Sequence, residues 1–133
     1  MKSSKQQYRE RNRRYLKTNR ENPEVIALPS GVQYRVIKQG EGKKAIFTSL
    51  VHVYYKGQFV DGTVFESNLD EPLPALFRVF DVIEGWKEVL QQMTEGSEYE
   101  VVIPYELGYG KRSNGNIPGY STLIFHIQLM KVE

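Results

Sequence analysis

Residues 82–96 read VIEGWKEVLQQMTEG, and within them the spacing of apolar side chains changes. Trp86, Val89, Leu90 and Met93 stand at i, i+3, i+4 and i+7, one face of a short helix. Glu95-Gly96 ends it, since glycine past the last turn closes a helix at little steric cost. On either side the period is two. Ser97–Ile103 is a strand, and in Thr122–Val132 the residues Leu123, Phe125, Ile127 and Leu129 share one face.

Upstream, Leu28-Pro29-Ser30-Gly31 predicts a turn, and Val32, Tyr34 and Val36 alternate as in a half-buried strand. Ser49–Tyr55 is a β-branched and aromatic run, a second strand. Asp61-Gly62 predicts a two-residue hairpin between Gln58–Val60 and Thr63–Glu66. Residues 68–76 form a loop or irregular edge, Leu76–Phe80 pairs briefly, and Pro104–Tyr120 is a long loop of the kind that is usually functional or mobile. One helix laid across one antiparallel sheet is an α+β architecture.

The first 20 residues differ from the rest. Residues 4–20 are rich in helix formers, and Tyr8, Tyr15 and Leu16 make a narrow apolar stripe. Such a helix is marginal alone and needs a docking surface. We expect an extension over 1–24 and one globular domain over 25–133. Residues 1–20 hold eight Lys or Arg and one acid, Glu10, while residues 21–133 hold ten basic and fifteen acidic residues. The basic arm is either a solvated, partly helical tail or a contact for RNA, the ribosome or an acidic membrane. No apolar run follows the first basic residues, so the chain as numbered reads as cytoplasmic; a signal removed before Met1 would make it periplasmic or of the envelope.

Several chemistries are excluded. There is no cysteine, hence no disulfide and no thiolate. His52 and His126 lie in different strands and are read as structural or surface residues, so no metal and no cofactor are expected. Gly108-Tyr109-Gly110-Lys111 lacks P-loop spacing, and no nucleophile elbow is present. What remains is a concentration of aromatic side chains near loops. It is either ordinary core or the lining of a concave apolar pocket with phenolic donors.

The ordered motifs decide between these. Leu28–Tyr34, Val53-Tyr54-Tyr55-Lys56-Gly57, Asp61–Phe65, Val82–Trp86, Gln92-Met93, Glu95-Gly96, Ile103-Pro104, Leu107–Gly110 and Thr122–Phe125 together resemble an FKBP-type peptidyl-prolyl isomerase domain, closest to the bacterial Mip-like branch. The resemblance covers about residues 28–133 and implies a five- or six-stranded antiparallel sheet wrapped around the short helix, with an N-terminal helical extension. It implies Tyr55, Phe65, Glu66, Trp86, Tyr109 and Phe125 as catalytic residues, with Trp86 as the floor under a proline ring. Phe77, Val82, Ile83 and Ile117 are implied as substrate-binding. The Ile83 amide and the Tyr109 hydroxyl would bond carbonyls of a bound peptide. The implied activity is rotation about X-Pro bonds, or proline binding with weak turnover. The implied partners are proline-containing unfolded polypeptides, a weakly held macrolide, and a second copy through the N-terminal helix.

Three positions depart from the family pattern. Glu66 stands where Asp is usual, and Glu71 stands where relatives often carry an Arg. Two neighbouring carboxylates repel, so Glu66 is expected either to turn to solvent or to take another partner such as Tyr55. Gly119 replaces a frequent second proline after Pro118.

Overall fold

The long central strands carry the architecture. The computed structural model describes residues 1–133. Its elements are α1 (Ser4–Arg20), β1 (Ile26–Ala27), β2 (Gln33–Lys38), β3 (Leu50–Gln58), β4 (Val64–Ser67), β5 (Ala75–Arg78), α2 (Glu84–Leu90), β6 (Glu98–Ile103) and β7 (Leu123–Val132). The antiparallel sheet runs β1-β2-β6-β7-β3-β4, and β5 pairs with the other half of the β3 edge that β4 occupies. β3 therefore has neighbours along both edges: β7 on one, β4 and then β5 on the other. Its alternation is strict. Val51, Val53, Tyr55 and Gly57 are buried while the residues between them are half-exposed.

The inner face of the sheet wraps α2. From α2 come Trp86, Val89 and Leu90, and from the turn after it Met93, each at most 4% exposed. Against them lie Val51, Val53, Val101, Ile103, Leu123, Ile127 and Leu129. Each such side chain contributes roughly 1.5–3 kcal/mol on burial. The helix is only 7 residues long, so packing rather than helix propensity holds it.

The outer face is covered by α1. Gln33, Val102 and Ile124 form one cross-strand row on that face, and all three are buried. Ser3 begins α1 with a reciprocal capping box to Gln6. The stripe Tyr8, Tyr15 and Leu16 is half-buried, but the residue that anchors the helix lies between them. Asn12 is 2% exposed; its Oδ1 accepts the Thr122 N–H at 2.7 Å, and its Nδ2 donates to the Tyr8 carbonyl at 2.8 Å. Ser121 donates its one proton to the Pro118 carbonyl, so the Tyr8 hydroxyl donates to Ser121 Oγ at 2.5 Å. Further along, the Gln33 side chain donates to the Leu16 carbonyl and accepts from Asn19. The docking surface that the isolated helix lacks is thus supplied by β2 and the start of β7.

Three expectations need correction. The sheet has seven strands rather than five or six, because the two-residue β1 and the short edge β5 carry too few residues to show a period. Val36 is 37% exposed, since the pairing of β2 with β6 slips between Val36 and Lys38. The hairpin is not a two-residue turn. The Gly62 N–H donates to the Phe59 carbonyl and the Phe59 N–H to the Thr63 carbonyl, with Gly62 at φ +91° and a bulge between Gly57 and Gln58. The Asp61 carboxylate caps the Thr63 N–H at 2.9 Å, which favours this longer loop. The long segment 104–120, which carries Tyr109, holds a one-turn helix at Tyr105–Leu107 and mutual backbone bonds between Asn114 and Ile117.

Asn12→Leu leaves the Thr122 N–H buried without an acceptor. It is expected to lower unfolding free energy by roughly 1–3 kcal/mol in urea titration. Asn12→Asp keeps an acceptor for Thr122 and is expected to lose less.

Candidate active site

Five elements and two loops converge on one spot. Because β3 alternates, Tyr55 faces inward beside Gly57; β7 delivers Phe125 by the same period. β5 supplies Phe77. The one-turn helix Val79–Asp81 leads through Val82 and Ile83 into α2, whose first turn places Trp86 against the sheet. The indole is 4% exposed and meets three rings edge-on. Tyr55 lies at 5.0 Å and 90°, Phe125 at 5.3 Å and 88°, and Phe77 at 5.8 Å and 81°. Edge-to-face pairs of this kind contribute roughly 0.5–1.5 kcal/mol each beyond area burial.

Above the indole is a cavity of about 200 Å³. Its walls are Tyr55, Phe77, Val82, Ile83, Trp86, Tyr109 and Phe125, with the carboxylates Glu66 and Asp81 at the polar side. It is smaller than the roughly 300–1,000 Å³ of sites for drug-sized ligands, and suits one residue ring with part of its neighbour.

Beside the two carboxylates the cavity holds hydrogen-bond donors. The Tyr55 hydroxyl donates to Glu66 Oε1 at 2.5 Å. Burial, then that hydrogen bond and the charge of Glu66, push the Tyr55 phenol far above the usual phenol range. Burial, with the Glu66 charge second, raises Tyr109 as well. Both phenols are therefore protonated at neutral pH. The Tyr109 hydroxyl and the Ile83 backbone N–H make no hydrogen bond within the protein. Two unpaired donors facing an apolar hollow can receive the carbonyl oxygens of a peptide.

Gly57 makes the far wall possible. A Cβ there would stand 2.7 Å from both Phe125 and Phe65 rings. Its absence lets Phe65 lie edge-on to Phe125 at 5.7 Å, with its other side stacked on Phe59 at 4.8 Å. Phe65 thus backs Phe125 and does not line the cavity. Ile117, 7% exposed, is likewise a core residue outside the lining. The other eight residues singled out in the sequence all meet at the cavity. Asp81 is added to them; its only signal was its place directly before Val82 in the helix-entry motif.

The departures from pattern have physical accounts. Glu66, one methylene longer than Asp, reaches the Tyr55 hydroxyl. Glu71 is exposed, and its backbone carbonyl accepts from the Tyr54 hydroxyl at 3.2 Å. At position 119 a Cβ would stand 2.1 Å from the Lys111 carbonyl oxygen, so glycine alone fits.

A family model described as FKBP-type peptidyl-prolyl cis-trans isomerase matches residues 41–130. The chain belongs to this family. It is 45% identical over 120 residues to the FKBP-type 22 kDa peptidyl-prolyl cis-trans isomerase of Escherichia coli, covering 90% of this chain and 58% of that protein. It is equally 45% identical to the outer membrane protein MIP of Legionella longbeachae, covering 90% of this chain and 52% of that protein. The chain thus spans about half the length of the curated relatives it matches. The crystal structure of FkpA from Escherichia coli superposes with a TM-score of 0.91 at 32% identity, over 96% of this chain and 60% of that one. A peptidyl-prolyl cis-trans isomerase from Pseudomonas syringae gives 0.89 at 28% identity, over the whole of this chain and 98% of that one. The FKBP-type fold, α+β with a sheet around α2 and an added α1, is therefore that of this chain. None of its helices is long and apolar enough to cross a membrane.

Two outcomes follow from the site geometry. Gly57→Ala is expected to displace Phe125 or Phe65, costing roughly 1–3 kcal/mol of stability and changing the near-ultraviolet aromatic signal. The raised Tyr55 pKa has a defined sign. The folded protein holds the phenolic proton more tightly than the unfolded chain. Its stability contribution is therefore full below the ordinary phenol value of 10.0 and is lost as pH rises above it. Urea midpoints are expected to fall from about pH 9 to about pH 11, with a shallower slope in Tyr55→Phe.

Proposed function

We propose that this chain is a peptidyl-prolyl cis-trans isomerase acting on proline-containing segments of unfolded or folding polypeptides. The observation that carries the proposal is the aromatic hollow over Trp86 with two unpaired donors at its edge.

Rotation about the X-Pro amide meets a barrier of roughly 18–20 kcal/mol, set by resonance. No bond is made or broken, so neither nucleophile nor metal has a task. The planar amide carries charge on its oxygen, which water stabilises; the twisted amide is less polar. An apolar hollow therefore disfavours the planar form more than the twisted one. Trp86 supplies the surface under the proline ring, with Phe77 and Phe125 as side walls. The Ile83 N–H and the Tyr109 hydroxyl fix the flanking carbonyls, so that rotation is confined to one bond. Lowering the barrier by about 5–6 kcal/mol gives roughly ten-thousand-fold acceleration.

A second reading is favoured by one observation. The Tyr55 hydroxyl is already held by Glu66, which leaves it less free to meet the peptide. On this reading the cavity grips proline but turns it over slowly, and the chain acts as a holding module. The peptide isomerisation assay separates the two. For an isomerase, wild type is fast, Tyr109→Phe loses about three- to tenfold in kcat/KM through one lost donor, and Glu66→Asp changes little. For a holding module, wild type is slow but retains a proline peptide, and Glu66→Asp raises turnover. A Tyr109→Phe variant with unchanged turnover and unchanged peptide affinity contradicts both.

A further inference from the structure

The basic arm is not a loose tail, and its charges are arranged. Along one flank of α1 stand Lys5, Arg9, Arg13, Lys17 and Arg20, at steps of four, four, four and three. All five side chains are exposed, and none is paired with a carboxylate; the arm's single ion pair is Lys2 with Glu10. At 1.5 Å rise per residue, neighbouring rungs are about 6 Å apart and the ladder is about 22 Å long.

This flank is one wall of a groove. Three hollows of about 540, 270 and 630 Å³ follow one another beside α1, joined by shared Arg9 and then shared Arg13. The opposite wall is the segment 104–120, extended by Thr122 in the second hollow and by Ser30, Gly31 and Gln33 in the third. In the first hollow that wall contributes Lys111, and no acidic residue lines it. Acids enter only further along, Glu106 in the second and third hollows and Glu21 in the third. The junction of the first two is aromatic. The Arg9 guanidinium lies 4.0 Å from the centre of the Tyr120 ring, and Tyr105 meets Tyr120 edge-on at 4.7 Å. Tyr120 is the one non-glycine residue with positive φ, at 64°, a costly conformation for a bulky side chain. The isomerase cavity uses none of these residues.

We infer that this groove binds single-stranded nucleic acid, with the α1 ladder and Lys111 on the phosphates and the Arg9–Tyr120 pair as a stacking platform for a base. A cationic groove that tracks a backbone, interrupted by planar side chains, is the general solution for single strands. A lipid surface fits less well. The apolar stripe of α1 already faces its own sheet, so no apolar side remains to enter a bilayer, and the groove is concave.

The test uses the full chain and labelled 12-nucleotide oligouridylate or oligothymidylate, read by fluorescence anisotropy from about 50 mM salt upward. With about five phosphates neutralised, the expected slope of log K against log salt is near −3.5. Lys5→Glu with Arg13→Glu is expected to weaken binding at least tenfold, with thermal melting and peptide isomerisation unchanged. Lys43→Glu with Lys44→Glu makes the same charge change away from α1 and is expected to have little effect. The inference is overturned by absence of binding at the lowest salt, by equal weakening in both double variants, or by binding to phosphatidylserine vesicles without binding to either oligonucleotide.

Discussion

The perpendicular packing of Trp86 against three rings is the constraint on which the rest of this molecule depends. An indole at the first turn of a seven-residue helix has no stable place unless the sheet brings partners to it from both sides. Tyr55 arrives from the central strand, Phe125 from its neighbour, and Phe77 from the short edge strand beyond. Registering β3 against β7 and β5 is therefore also the act that builds the cavity. Gly57 belongs to the same constraint, because any side chain there would collide with Phe125 and Phe65. Core and site are one structure in this fold. A change that loosens the packing of α2 also opens the floor on which a proline ring would rest.

The chemistry suits such a site. Rotation about an amide asks for a change of surroundings rather than a reagent, and the chain has no cysteine to offer as a nucleophile. The titratable groups present act through hydrogen bonds. Glu66 holds Tyr55, and burial raises both phenols above their ordinary value. The hollow thus keeps its phenolic donors neutral.

Much of this was legible in the sequence because the decisive signals are local. The change from period two to period 3.6 at Val82, and back at Ser97, gives the helix and its flanking strands. Trp86, Tyr109 and Phe125 follow from motifs in a fixed order. The signals that failed are those set by partners distant in sequence. Asn12 looks like one more polar residue on a basic helix; its burial depends on the Thr122 N–H, 110 residues away, which donates to its Oδ1. Phe65 and Ile117 stand just outside the cavity lining, Phe65 against the space left by the missing Cβ of Gly57. Asp81 carries no periodicity of its own. β1 and β5 are too short for any pattern, and the hairpin lengthened because the Asp61 side chain competes for the Thr63 amide.

The most direct test of the central claim is exchange spectroscopy on a short X-Pro peptide, following cis and trans proline signals with catalytic amounts of this chain. Cross-peaks between the two isomers, seen with wild type and lost by at least tenfold in rate with a folded Trp86→Leu variant, are the predicted result. Exchange at the uncatalysed rate with wild type, or equal catalysis by both proteins, would contradict the account.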